Sequence, residues 1–377
     1  MSDRGSDVTA VAMSGGLDSS VTAWLLAGRG ESVVGLSMLL WDRSGENTHG
    51  RCCGALDLGD AKRVAQQCGI PHYTLRMDEE FLEQVVDPFV QDYLEGRTPS
   101  PCIRCNTWVK FDLFLDRARR LGASRMATGH YARIESTTEG WELHKSVDES
   151  KDQSYFLFEL TQKQLAAARF PLGEMSKDEV RRLAREAGLV VCEKPESMEV
   201  CFVDTGVREF VEERVAEFPE RYSQHPAPEP SCIVDHQGHR LGEGQPYYRY
   251  TVGQRRGLGV ASADRLYVLG VEPKENRVVV GSEHQLATAG LVGERVHWIG
   301  GPPEATIEAT VKIRSRHSGV SSEIRSLPDG RVEVEFSQAQ LAVTPGQAAV
   351  FYDGTRVLGG CWIQGPSGQA SGPRPSS

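Results

Sequence analysis

AMSGGLDSSV, residues 12–21, follows the short apolar run VTAVAM (Val8 to Met13) and leads into DSSVTAWLLA (Asp18 to Ala27), a stretch of helical length and mixed polarity. A strand, a glycine turn and a helix in that order place backbone N–H groups at a helix start, where they attract the oxygens of an anion. Gly15 and Gly16 let the chain turn tightly and approach a ligand, while Ser14, Ser19 and Ser20 add hydroxyl groups. The same letters also describe a plain strand–turn–helix with Asp18 as its N-cap. The lysine of the phosphate loop of kinases and GTPases is missing, so the stretch is not that motif.

Outward from this loop, strand and helix patterns alternate. Ser32 to Leu40, Pro71 to Arg76 and Ser124 to Thr128 read as strands, and Leu56 to Cys68, Asp78 to Glu95 and Asn106 to Leu121 as helices. Such alternation predicts an α/β fold, a doubly wound parallel sheet covered on both faces with its ligand at the carboxyl ends of the strands. The loop after Met13 falls at that end, as does ATGHYAR (Ala127 to Arg133) with Gly129 and His130. Met38 and Trp41 close the second strand and read by themselves as core residues.

Beyond about residue 210 the composition changes. AEFPERYSQHPAPEPSC is proline-rich and reads as a linker or surface loop. From Ser231, short apolar runs with glycine turns predict a small β-rich central domain carrying the basic loop YTVGQRRGLG. From about Leu291 a second β-rich segment predicts a C-terminal β-barrel ending near Gln364, with a disordered tail behind it. The expected domains are therefore 1–209, 210–285 and 286–365, with 366–377 as tail.

With 377 residues, 39% of them hydrophobic and 25% charged, the chain reads as a soluble protein of two or three domains. A basic leader and a long apolar run are both lacking, which predicts a cytoplasmic protein with no membrane partner. Nine cysteines, an odd number spread over a long chain, do not suit a secreted disulfide framework. The sulfurs that matter are expected to be catalytic or metal-binding. A formal net charge of -10 gives no global attraction to nucleic acid, so any RNA contact must come from local groups such as Arg249, Arg255, Arg256, Lys312, Arg314, Arg316 and His317.

TPSPCIRCN, residues 98–106, holds the cysteine pair that raises the question of sulfur chemistry. Cys102 and Cys105 have the spacing of half a zinc site, yet no second pair matches, and the adjacent Cys52 and Cys53 are poorly placed for joint chelation. A thioredoxin-like redox pair is disfavoured, with Pro101 standing before the motif, and a nucleophile is the third reading. Cys201, in the β-prone VCFV, reads by composition as a buried strand thiol. KDQSYFLFEL (Lys151 to Leu160) resembles a solvated helix start, and Ser176 with Glu179 predicts a capped helix whose basic face is solvated.

The string SGGLDS resembles the loop of the N-type ATP pyrophosphatases, which implies cleavage between the α- and β-phosphates of ATP and an adenylated substrate. Taken with RTPSPCIRCNTWVKF, ATGHYAR, KDQSYFL, SKDEVRRLA, CFV, YYRYTVGQRRGLGV, VKIRSRHSGV and AVTPGQAAVFYDGTRVLGG, it resembles the tRNA-specific 2-thiouridylases over nearly the whole chain. That resemblance implies an adenine nucleotide hydrolase-like first domain and replacement of the C2 oxygen of the wobble uridine of tRNA by sulfur. It implies ATP contacts at Ala12, Met13, Ser14, Gly15, Gly16, Leu17, Asp18, Ser19, Met38 and Gly129, with Asp18 touching Mg2+. It implies Cys105 as catalytic nucleophile and Cys201 as the carrier of a persulfide, the pair closing a disulfide during turnover. Ser100, Pro101 and Cys102 fall where the family contacts the target base, and Lys151, Asp152, Gln153, Arg314 and Ser315 where it contacts tRNA. The implied partners are tRNA and a sulfur-relay protein or cysteine desulfurase.

The family string is N-P-D-x-x-C-N where this chain has S-P-C-x-x-C-N, and the departure that matters is at 102, where Cys102 replaces the acid. Cys102, Cys105 and Cys201 then resemble the three-thiolate set of iron–sulfur-dependent tRNA thiolation enzymes, which would imply a [4Fe–4S] cluster. Two other classes share some of the features: an ammonia-using synthetase, which leaves Cys105 and Cys201 idle, and a non-catalytic RNA-binding protein, which leaves Asp18 idle.

Overall fold

The computed structural model describes residues 7–40, 55–195, 200–203, 206–225, 229–262 and 264–367. Trp41, Cys52, Cys53, part of the proline-rich stretch and the tail from 368 onward lie outside the described residues. The chain divides into two compact units, one of Met1–Val86, Pro101–Asp204 and Thr355–Leu358, the other of Asp87–Ser100, Thr205–Gly354 and Gly359–Ser377.

The first unit holds β1 (Val8–Ala12), β2 (Val33–Leu39), β3 (His72–Arg76), β4 (Ala123–Ala127), β5 (Ala132–Thr137), β6 (Gly140–Lys145) and β7 (Ala168–Arg169). Five of these form a sheet in the order β3-β2-β1-β4-β7, every neighbouring pair parallel. β1 lies at its centre with Thr9, Ala10 and Val11 all buried, as a strand covered on both faces requires. The order runs from β1 toward β2 on one side and β4 on the other, which opens a crevice at the carboxyl ends of β1 and β4. β5 and β6 make a hairpin against Arg356 and Val357.

Helix α1 (Leu17–Gly28) follows the loop, and α2 (Ala55–Gln67) packs beside it. Val11, Met13, Leu17, Val21, Leu26, Ala61 and Val64 share one core with Val180 and Ala184 of the helix Lys177–Glu186. Burying each large aliphatic side chain there contributes about 1.5–3 kcal/mol. Both ends of the loop are therefore anchored, Met13 on one side and Leu17 on the other. The helix expected over 106–121 begins earlier: Pro101–Arg104 is already helical, Cys105–Phe114 continues as a π-type helix, and Leu115–Arg120 completes it. The cysteine pair thus stands on a helix, ahead of the start expected at Asn106.

The second unit contains a small sheet of β8 (Cys232–Asp235), β9 (Arg240–Glu243), β10 (Tyr267–Glu272) and β11 (Arg277–Gly281), in the order β10-β11-β8-β9. It also contains β12 (Ala287–Trp298), β13 (Ile307–Lys312), β14 (Val320–Ser326), β15 (Val332–Leu341), β16 (Ala348–Asp353) and β17 (Arg356–Ser367), the last from Gly359 onward. These close into a six-stranded barrel, β12-β15-β14-β13-β16-β17 and back to β12, which leaves no open edge. Alternation sets its inside, with Val320, Ser322 and Ile324 buried from β14 and Val332, Val334 and Phe336 from β15. The final strand runs to Ser367, slightly past the expected end. No helix among the described residues is long and apolar enough to cross a membrane.

Candidate active site

Along the loop, burial alternates: Met13, Gly15, Leu17 and Ser19 are buried, whereas Ala12, Ser14, Gly16 and Asp18 are half-buried. Met13 and Leu17 spend their side chains in the core, which leaves their peptide groups to the loop. Gly16, and not Asp18, is the N-cap of α1, and it makes no side-chain cap bond. Asp18 stands in the first turn, so the N-cap reading of the sequence is corrected. The hydroxyls brace the turn from within: Ser14 N–H donates to Ser19 Oγ (3.2 Å), and Ser19 and Ser20 Oγ donate to the Gly16 carbonyl (3.1 and 2.8 Å). A helix start whose first N–H groups lack a side-chain cap is suited to an anion.

Gly15 takes φ +71°, in the left-handed region, and a Cβ there would collide with the carbonyl of Asp57. Gly129, at the end of β4, is constrained differently: a Cβ would lie 2.7 Å from Asp18 C and 2.8 Å from Ser19 N. Gly129 therefore packs its backbone directly on the first turn of α1, and Met38 lies half-buried near the end of β2.

Two lysines reach this loop: Lys177, from the helix whose basic face was expected to be solvated, and Lys194, on which the sequence offered no reading. Lys177 Nζ donates to both oxygens of Asp18, at 2.7 and 2.9 Å, and lies 5.4 Å from the centre of the Tyr131 ring. Tyr131 Oη donates to Asp18 Oδ1 at 2.9 Å. Lys177 is 7% exposed and Asp18 31%, so the ammonium is buried and the carboxylate still meets solvent. Lys194 Nζ reaches the loop backbone, at the Gly15 carbonyl. The signal for Lys177 was its place as the first helical residue after the Ser176 cap, next to a buried stripe, which a basic-face reading overlooked.

Asp18 was expected to touch Mg2+. Its carboxylate already accepts from Lys177 and Tyr131, and among the described residues no three His, Cys, Asp or Glu side chains gather to hold a metal ion. That fits a magnesium ion delivered on nucleotide phosphates, which needs one or two carboxylates from the protein. The same observation corrects the cluster reading: Cys102, Cys105 and Cys201 are not assembled as a three-ligand site, and Cys102 is exposed while Cys105 is buried on the same helical run.

Cys105 heads the π-type helix, and the residues after it are tied down. Asn106 donates to the Phe156 carbonyl at 3.0 Å and accepts from Lys110 Nζ at 2.9 Å, and Thr107 Oγ1 donates to Glu159 at 3.0 Å. Cys201 is half-buried, and Phe202 beside it packs edge-on against Phe81. Burial pushes the thiols of Cys68 and Cys361 up, which keeps them protonated and inert.

His130 lies against the rings of Phe111 and Phe170, with Nδ1 2.7 Å from Thr128 Oγ1. Desolvation, reinforced by the charge of Lys110, lowers its pKa well below the ordinary 6.5. Folding thus favours the neutral ring, so its contribution to stability is intact above about pH 6.5 and is lost as the pH falls below that value. His130→Gln is expected to flatten part of the acid-side fall in Tm between about pH 6.5 and 5, read by thermal melts across that range.

The expected tRNA contacts fall into two kinds. Asp152 and Gln153 are engaged internally: Asp152 accepts from Ser146 N–H and from Ser154, while Gln153 exchanges bonds with the backbone of Tyr131. In the second unit, Gln347 Nε2 donates to the carbonyls of Thr98 (2.9 Å) and Pro99 (3.2 Å), and Thr98 N–H donates to Pro345. This anchors the strand of chain that runs to Ser100, which is buried as Pro101 is. Arg314 and Arg316 are exposed and Ser315 half-buried on the turn after β13. Arg255 and Arg256 are exposed in a loop pinned by Gln254, whose side chain bonds Thr251 N–H, Arg256 O and Arg208. Arg249 is instead paired with Glu212, and His317, bonded to Gln340, is held below its ordinary pKa by burial. Those two do not supply the positive charge expected of them.

Residues 7–205 match the family described as tRNA methyl transferase HUP domain, 222–282 its PRC-barrel domain, and 288–363 the aminomethyltransferase beta-barrel domain. A tRNA-specific 2-thiouridylase MnmA of Geotalea uraniireducens is 51% identical over 362 residues, covering 94% of either chain. Another, of Geobacter metallireducens, is 49% identical over 371 residues, covering 96% of this chain and 98% of its own. A solved 4-thiouridine synthetase–RNA complex with bound ATP aligns with 58% of this chain and 53% of its own, at 17% identity and a TM-score of 0.33, a likeness that carries no argument.

Proposed function

The chain belongs to the tRNA-specific 2-thiouridylase family, and from that premise we propose that it is a tRNA sulfurtransferase that uses ATP to replace the C2 oxygen of the wobble uridine by sulfur. The observation that carries this reading is the conjunction, in one unit, of the uncapped SGGLDS turn with its buried Lys177 and the two cysteines at 105 and 201. An ammonia-using synthetase has no use for Cys105 and Cys201.

The C2 oxygen of uracil is a poor leaving group, and transfer of AMP from ATP converts it into a good one, with diphosphate released. In our reading the N–H groups at the start of α1 receive the phosphate oxygens, and Lys177, beside Asp18, offsets charge developing on them. Asp18 is the residue that would hold Mg2+, which supplies charge neutralisation on the polyphosphate. Met38 and Gly129 border the nucleotide. A persulfide on Cys201, loaded by a sulfur-relay protein or cysteine desulfurase, attacks C2 through its terminal sulfur and AMP departs with the oxygen. Cys105 then attacks the inner sulfur of Cys201, which forms a Cys105–Cys201 disulfide and frees the 2-thiouridine, and an external thiol restores both cysteines. The uridine must leave its stack to reach this chemistry.

We assign Ser100, Pro101 and Cys102 to the target base and Lys151, Arg314 and Ser315 to tRNA, with Asp152 and Gln153 shaping the turn that presents Lys151. The domain limits we propose are 1–209, 210–285 and 286–365.

The test is transfer of labelled sulfur from a loaded persulfide donor to unmodified tRNA, with and without ATP, beside ATP–pyrophosphate exchange on small acids. Sulfur incorporation that requires ATP supports the reading, and exchange on small acids without incorporation defeats it. If Arg255 and Arg256 meet phosphates, Arg255→Gln with Arg256→Gln weakens tRNA binding and lowers the slope of log K against log salt by roughly 0.7–0.9 for each phosphate no longer neutralised. Filter-binding titrations at several salt concentrations read this directly.

A further inference from the structure

Lys194 carries no role in the mechanism above, yet among the described residues it is the charged side chain that grips the backbone of the nucleotide loop. Its Nζ donates to the Gly15 carbonyl at 2.9 Å, to Asp57 Oδ1 at 2.5 Å and to Asp60 Oδ2 at 2.6 Å. Asp57 and Asp60 stand on successive turns of α2, on one face of it. The peptide they brace is the one with least freedom: Gly15 is in the left-handed region, and the Asp57 backbone fills the space where its Cβ would be.

Burial works against the charged form of Lys194, but the hydrogen bonds and charges of Asp57 and Asp60 outweigh it and hold the ammonium above its ordinary pKa. Asp60 shows the converse: burial raises it, and Lys194 and Arg63 more than compensate. Lys194 and Asp60 are therefore both ionised near neutral pH. Three oxygen acceptors converge on one cation, so removal of the cation takes a shared donor from the Gly15 carbonyl, Asp57 and Asp60 and leaves Asp60 with Arg63.

We propose that Lys194 is a positioning residue for ATP: by fixing the Gly15 carbonyl from behind, it keeps the N–H groups of the loop turned toward the polyphosphate. The inference rests on residues 12–19 being the nucleotide loop.

The experiment compares wild type, Lys194→Met, Lys194→Arg and Asp60→Asn. Affinity for a non-hydrolysable ATP analogue is measured by calorimetry, and the KM values for ATP and tRNA in the sulfur-transfer assay. For Lys194→Met, the Kd for the analogue and the KM for ATP are expected to rise at least about tenfold, which is 1.4 kcal/mol, with the KM for tRNA little changed. Lys194→Arg, which keeps charge and donors, is expected to recover part of the loss. Asp60→Asn, which loosens one anchor, is expected to give an intermediate rise, and carries the test if Lys194→Met does not fold. Unchanged analogue affinity in a folded Lys194→Met, or in both Lys194→Arg and Asp60→Asn should Lys194→Met not fold, overturns the assignment. A wild type that binds the analogue but transfers no sulfur instead defeats the thiolation reading and leaves the assignment of Lys194 standing.

Discussion

Cys105→Ser and Cys201→Ser are each expected to reduce sulfur transfer to background while tRNA binding stays intact. A serine hydroxyl cannot carry a persulfide, and its proton is held far too tightly at neutral pH for it to act as a thiolate does. The two variants fail at different points. Cys201→Ser cannot accept sulfur, so it is expected to adenylate tRNA and stop. Cys105→Ser can accept sulfur but cannot resolve the bond to Cys201, so direct attack by the persulfide leaves tRNA joined to the protein through a disulfide. That adduct is visible as a shifted band on a denaturing gel and disappears with dithiothreitol. Absence of the adduct in a persulfide-loaded Cys105→Ser favours the other route, in which attack by Cys105 releases hydrosulfide. Retained transfer in either variant removes the two-cysteine mechanism. Cys102, exposed on the same helical run, is expected to tolerate Asp, the residue that the family string carries there.

Lys177→Met is expected to cost both stability and the ATP-dependent step. The ammonium is 7% exposed and bonded to both oxygens of Asp18, so its loss leaves a carboxylate with Tyr131 alone. Breaking a buried pair costs about 3–5 kcal/mol, and the 31% exposure of Asp18 puts this case at or below the low end. Denaturant melts measure that loss. Adenylation, followed as pyrophosphate release in a single turnover, is expected to fall by on the order of 10²-fold or more, since a preorganised positive charge beside the phosphates is removed. Lys177→Arg is not an innocent substitution, because a planar guanidinium cannot replace a compact ammonium over the Tyr131 ring. Adenylation at the wild-type rate in a folded Lys177→Met would falsify its role beside the phosphates.

Much of the fold is legible in local chemistry. Apolar runs of strand length alternate with longer mixed stretches, and these become β1 to β4 and the helices between them with shifts of a residue or two, except that the helix expected from Asn106 begins at Pro101. Glycine at 15 announces the turn because few other residues can make it. What escapes is whatever depends on neighbours far along the chain. Lys177 lies 159 residues from Asp18 and Lys194 lies 179 from Gly15, and in sequence both stand among polar residues that look solvated. Arg249 and His317 mislead in the opposite sense, since a basic letter does not reveal that Glu212 or Gln340 is waiting beside it.

The sequence by itself determined the loop, the order of strands and helices around it, and which cysteines stand in a recognisable string, because each of these is written in contiguous residues. The tertiary structure decided which of those groups meet. It set Gly16 as the cap in place of Asp18, turned Cys105 inward while Cys102 stayed at the surface, and left no three-ligand metal site among the described residues. It also brought two distant lysines to one turn. The physical reason is that a buried charge is stable only beside its counter-charge, and that pairing is made by the packing of separate elements, which no short stretch of sequence contains.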